Sequence, residues 1–199
     1  MVYVDNFNPN VPGMTEGRTF ADKQIHVHPS RHTIPITIAP NTGDLDKGTI
    51  LGVSTADGLY RPVIRTTVKA TQPGNPQVIN VSPDTGIKFS VGQTVSVMRS
   101  DGSGVQQLGT IQAINGDAIT VQTSLQAALN DGDYLYVADG SQKALVVLVY
   151  PVMDSTQPKI AQADLGGVYW KDQLVGLDPI AIRDLGAREI PDNILVIPV

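Results

Sequence analysis

The stretch LGTIQAINGDAITVQT (residues 108–123) contains two alternating apolar/polar runs on either side of Asn115-Gly116. Asn-Gly between such runs is a strong short-range signal for a β-hairpin. Side chains alternate across a strand, so Ile119 and Val121 share one face. Working outward, residues 77–81, 94–99 and 134–137 carry the same period, with Val95 and Val97 on one face. Together with 108–114 and 118–123 they predict five short strands separated by turns, the pattern of a small SH3-like or OB-like β-barrel. The segment SLQAALN (124–130) reads as a single helical turn within it. This barrel is expected to occupy residues 64–139, about 75 residues and large enough to fold alone.

The sequence on either side has a different character. Ile34, Ile36 and Ile38 alternate with Pro35, Thr37 and Ala39, a half-buried strand whose proline places it at an edge. Asp57-Gly58 closes a hairpin further on. Residues 144–150, ALVVLVY, are apolar without alternation, as expected for a strand covered on both faces. Asp178 before Pro179, with Gly186 beyond, predicts a helix over 179–185 with an N-cap, a first-turn proline and a glycine stop. NILVIPV (193–199) ends the chain as a strand. The expected class is α+β, mostly β: residues 31–63 and 140–199 form one unit, and the barrel is inserted between them. Residues 1–30, rich in Asn, Pro and Gly, hold neither a 2.0 nor a 3.6 period and read as an extended arm.

Composition narrows the function. Net charge is −5 with pI near 5.0, so no basic footprint for nucleic acid is present. The longest apolar run, 144–153, is too short to cross a bilayer, and the N-terminus lacks the layout of a signal peptide. With no Cys, neither a disulfide framework nor a thiol nucleophile is available. There is no G-x-S-x-G elbow, and Glu16 and Glu189 are the only glutamates. The expectation is therefore a protein without catalytic residues or cofactor. His26, His28 and His32 lie together, with the first two on one side of an extended chain. A weak metal site is the sharper reading and exposed polar residues along an arm the favoured one. Asp44/Asp46 and Asp131/Asp133 read as turn residues, because the further ligands of a calcium loop are missing.

The pieces KGTILG (47–52), GLYRP (58–62), DGSQKA (139–144) and LGAREI (185–190) resemble, in that order, phage head decoration proteins of the lambda head protein D type. The resemblance covers the two flanking blocks and leaves 64–139 as an addition. It implies a decoration-protein α+β/β-tulip core and a homotrimer on the outer capsid surface of the virion, synthesised in the host cytoplasm. It also implies that the N-terminal arm binds the major capsid protein and that the shell is stabilised against internal DNA pressure. Neither nucleic acid nor membrane is an expected partner. Val4, Phe7, Phe20, Ile25 and Val27 are the apolar residues expected to anchor the arm on the shell, by adding a strand to the partner. The alternative is a surface-binding module, in which the inserted barrel engages carbohydrate or a host surface.

Overall fold

The computed structural model describes residues 25–27, 32–69, 77–83, 88–190 and 193–198. The fold is mostly β, with two sheets and, among the described residues, one short α-helix. Seven strands form the first sheet: β1 (His32–Ile38), β2 (Ile50–Val53), β3 (Tyr60–Pro62), β10 (Val146–Leu148), β11 (Lys159–Trp170), β12 (Arg188–Ile190) and β13 (Ile194–Ile197). The other six form the second: β4 (Arg65–Thr67), β5 (Val78–Asn80), β6 (Thr94–Met98), β7 (Gln106–Asn115), β8 (Ala118–Val121) and β9 (Tyr134–Val137). The second sheet is thus one uninterrupted segment, and the first is built from the sequence on both sides of it.

The first sheet runs β1-β3-β2-β10-β11-β13-β12, and β1 also pairs with β11, so its first five strands close into a ring. Ile36, Ile38, Leu45, Leu51, Val146, Leu148 and Ala163 fill that ring. On its outer side Ile50, Val147 and Tyr169 pack with Leu195 and Ile197 under Leu174, Ala181 and Leu185. Neighbours in sequence therefore serve opposite layers: Ile50 and Val147 lie outside the ring, Leu51, Val146 and Leu148 within it. That is why 144–150 carries no alternation. Gly166-Gly167 marks where β11 exchanges partners, from β1 and β10 to β13.

β1 is bonded to β11 over its whole length, Ile38 opposite Lys159 and Thr33 opposite Asp164. Its other flank meets β3 only at Ile38–Tyr60, so Pro35 keeps the unpaired flank that its missing N–H requires. The expected helix is present as α1 (Pro179–Asp184), with Asp178 Oδ1 accepting from Ala181 N at 2.7 Å. Gly186 follows at φ 63°.

The second sheet runs β4-β9-β6-β7-β8-β5 and curls. Its outer strands approach each other just beyond their ends, where Val68 bridges Val81 and Lys69 N donates to Asn80 O at 2.9 Å. Ile79, Val95, Val97, Leu108, Ile111, Ile119 and Leu135 make a core of its own. Three expectations change here. The strand count rises to six, because Arg65–Thr67, too short and polar to show a period, pairs with β9. SLQAALN forms bends rather than a helical turn: Gln106 Oε1 accepts from Gln126 N and Ala127 N, and Leu125 and Leu129 enter the core. The β7–β8 hairpin exists, but its loop is Gly116-Asp117, with Asn115 and Ala118 as the closing pair. Gly116 has φ 59° and Asp117 a negative φ, the type II′ pattern with glycine first.

Candidate functional site

The expected arm meets the folded body earlier than residue 30. Ile25 is fully buried among Ile50, Tyr169, Ala181 and Leu195. Trp170 N donates to Ile25 O and Val27 N to Val168 O, both at 2.9 Å, so residues 25–27 add a short antiparallel pairing to β11. Ile25 is thus a core residue of this chain rather than an anchor for a partner, because the pocket between β11 and α1 already takes its side chain. Val27 is 36% exposed. Val4, Phe7 and Phe20 lie outside the described residues.

The same segment carries a polar clasp. Asp164 is buried in β11, opposite both Thr33 and Val147. Three donors converge on its carboxylate: His26 Nε2 at 2.7 Å, Thr33 Oγ1 at 2.6 Å and Tyr169 OH at 3.2 Å. A buried carboxylate is tolerated when its lone pairs are satisfied by hydrogen bonds, and these three side chains do that for Asp164. The rings of His26 and Tyr169 also pack at 5.1 Å. His26 is thereby engaged within the chain. His32 is exposed on β1, and His28 lies outside the described residues. Among the described residues no group of three His, Asp or Glu side chains is arranged to hold a metal ion. Asp133 uses its carboxylate on Ser100 N and Asn130 N, which explains it as a turn residue.

The motif pieces of the two flanking blocks meet at one junction. Leu145 N donates to Leu51 O, and Thr55 N to Asp139 O at 2.8 Å. A Cβ on Gly52 would collide with the carbonyl oxygens of Ser141 and Lys143. A Cβ on Gly140 would lie 2.5 Å from Thr55 N, and one on Gly48 2.7 Å from Gln173 O. These glycines are needed because backbone from distant sequence passes where a side chain would stand. Arg61, in β3, grips Asp57 through both guanidinium nitrogens, at 2.8 and 2.6 Å. That grip, with help from Leu59 N, holds the Asp57 carboxyl well below the usual carboxylate range.

Where the two sheets meet, Arg65 is buried and reaches Asp178 at 3.2 Å, Gln142 O at 2.6 Å and Asp184 at 3.6 Å. Asp178 and Asp184 bracket α1. Ile180 of that helix packs with Met98, Tyr134 and Tyr136 of the second sheet, while Arg183 Nη1 donates to Asp101 O. Burial raises the phenol pKa of both tyrosines. Residues of both units also border an open cleft of about 290 Å³, among them Asn41, Arg61, Lys88, Gln93, Thr94 and Asp139. Hydroxyls, amides and charges share its lining with Pro40, Pro62, Ile64 and Val137, and no aromatic ring stands among the described lining residues.

Compared with known proteins, the chain matches no family model and no curated protein sequence. Sequence reading missed the clasp because its members, residues 26, 33, 164 and 169, are distant along the chain and share no motif. The one local signal was an aspartate between Ala163 and Leu165 in the middle of β11.

Proposed function

We propose that this chain is a phage head decoration protein, seated as a trimer on the outer face of an icosahedral shell and reinforcing it against internal pressure. In this reading the first sheet with α1 is the decoration-protein core, and the second is an inserted barrel domain projecting from it. The observation that carries the proposal is the junction just described. KGTILG with DGLYRP on one side of the second sheet in sequence, and DGSQKA on the other, pack backbone to backbone around Gly52 and Gly140. A sequence resemblance confined to two blocks gains weight when both build one compact element. Met153, Tyr150 and Ile160 are exposed on the first unit, Ile160 at 85%, which offers apolar surface for subunit or shell contact.

Residues 1–24, which precede the clasp, would bind the major capsid protein by strand addition, with Phe7 and Phe20 as side-chain anchors. The test is deletion of 1–24, leaving Ile25 and His26 in place, followed by co-sedimentation with purified shells of the source phage. The expected result is loss of attachment with stability changed by less than about 1 kcal/mol, because Ile25 and His26, which hold this segment to β11, stay in place. Full attachment of the truncated protein would refute the arm's role. Failure of the intact chain to bind any shell would refute the proposal itself.

A further inference from the structure

We propose that the β7–β8 hairpin tip is a site of spontaneous covalent modification, in which Asn115 converts to aspartyl and isoaspartyl forms. Asn115-Gly116 is the one Asn-Gly pair in the chain, and it sits at an exposed reversal. Gly116 has φ 59°, and apart from its two chain neighbours no described atom lies within 4 Å of where its Cβ would be. With no Cβ on Gly116, its amide nitrogen is the least shielded that can follow an asparagine.

The reaction needs only water. Gly116 N attacks Asn115 Cγ and forms the C–N bond of a five-membered succinimide. The Cγ–NH2 bond breaks, and the amide leaves as ammonia after taking up the proton lost from Gly116 N. Water then opens the ring at either carbonyl, giving aspartate or, with the main chain rerouted through Cβ, isoaspartate. Asn115 pairs with Ala118 as the last rung of the ladder, so fraying of that one rung frees the backbone for attack.

The consequence is local to the second sheet. An isoaspartyl link adds a methylene to the main chain one residue from the Ile114–Ile119 pair. Ile119 is fully buried in that sheet's core, and a displaced register turns core residues toward the wrong face. The first sheet and α1 do not include the hairpin, so ageing at this tip loosens one unit and spares the other.

The test is incubation of the full-length protein in mildly alkaline buffer, followed by peptide mass mapping and an isoaspartate assay. The peptide containing Asn115 should gain the mass of an NH2-to-OH exchange. Its rate should exceed that at Asn130, which precedes Asp131, by about tenfold or more, because only glycine presents a nitrogen with no Cβ beside it. Asn115→Gln should abolish the conversion, and its amide exchange at Ile119 should stay slow while that of the aged wild type becomes faster. Conversion at Asn115 no faster than at Asn130 would overturn the proposal. So would aged protein in which Asn115 is converted but Ile119 exchange is unchanged, since the claimed effect on the sheet would be absent.

Discussion

Replacing Asp164 by Ala removes the acceptor that three donors share. His26 Nε2, Thr33 Oγ1 and Tyr169 OH all point at it, from 2.6 to 3.2 Å. Tyr169 OH also has a long contact to Gly166 O at 3.5 Å. The side chain of Asp164 is 0% exposed and that of His26 14%, so water does not replace the lost partner readily. Leaving a buried donor without its acceptor costs about 1–3 kcal/mol, and three donors lose theirs together here, so a loss of about 3–5 kcal/mol is expected. For a chain of this length each kcal/mol moves Tm by roughly 2–4 °C, so the variant should melt about 6–20 °C below the wild type. Asp164→Asn keeps the shape and one acceptor and should lose less than half as much. Scanning calorimetry on both variants measures this, and amide exchange at Val27 and Trp170 reports whether the 25–27 pairing has opened. An Asp164→Ala protein within about 1 kcal/mol of wild type, the range of ordinary surface substitutions, would show that the clasp contributes little.

Arg65→Ala should destabilise the chain by about 3–5 kcal/mol, because Asp178 and Asp184 lose a cation whose side chain is 1% exposed; Arg65→Met, which keeps the packed stem, should be milder in thermal melts. A fragment of residues 64–139 should give a dispersed amide NMR spectrum, since the six strands enclose their own core and Val137 N returns to Ile64 O; random-coil shifts would refute this. Alkaline titration provides another check. Burial raises the folded-state pKa of Tyr134 and Tyr136 above the ordinary 10.0, so the folded state holds protons that the unfolded state releases. Their contribution is intact below pH 10 and is lost as pH rises through the raised values. Tyr134→Phe/Tyr136→Phe should flatten that alkaline loss in melts followed across the range, and an unchanged slope would exclude these groups as its source.

Much of the fold was legible wherever a local pattern was sufficient. Alternation at Ile34, Ile36 and Ile38 defined β1, the unbroken run at 144–150 gave a strand covered on two faces, and Asp178-Pro179 with Gly186 bounded α1. Each depends on geometry within a few residues, which neighbouring side chains already encode. Arg65–Thr67 was missed as a strand because three residues cannot show a period, and only pairing with β9 makes them one. The hairpin loop moved by one residue to Gly116-Asp117 because the strand ladder, not the dipeptide, selects the closing pair.

The sequence by itself determined the mostly-β character, the two blocks around a central segment and the turns at which glycine or proline is required. Tertiary structure decided what those residues are for. Ile25 belongs to the core because β11 and α1 leave a pocket for it, although no apolar period surrounds it. His26 is a clasp because Asp164, 138 positions away, is brought to 2.7 Å. Gly52 and Gly140 are required because the two blocks cross there, a contact between segments separated by the whole second sheet. Local propensity acts through the backbone of adjacent residues, whereas burial and charge pairing depend on which distant segments the fold makes neighbours.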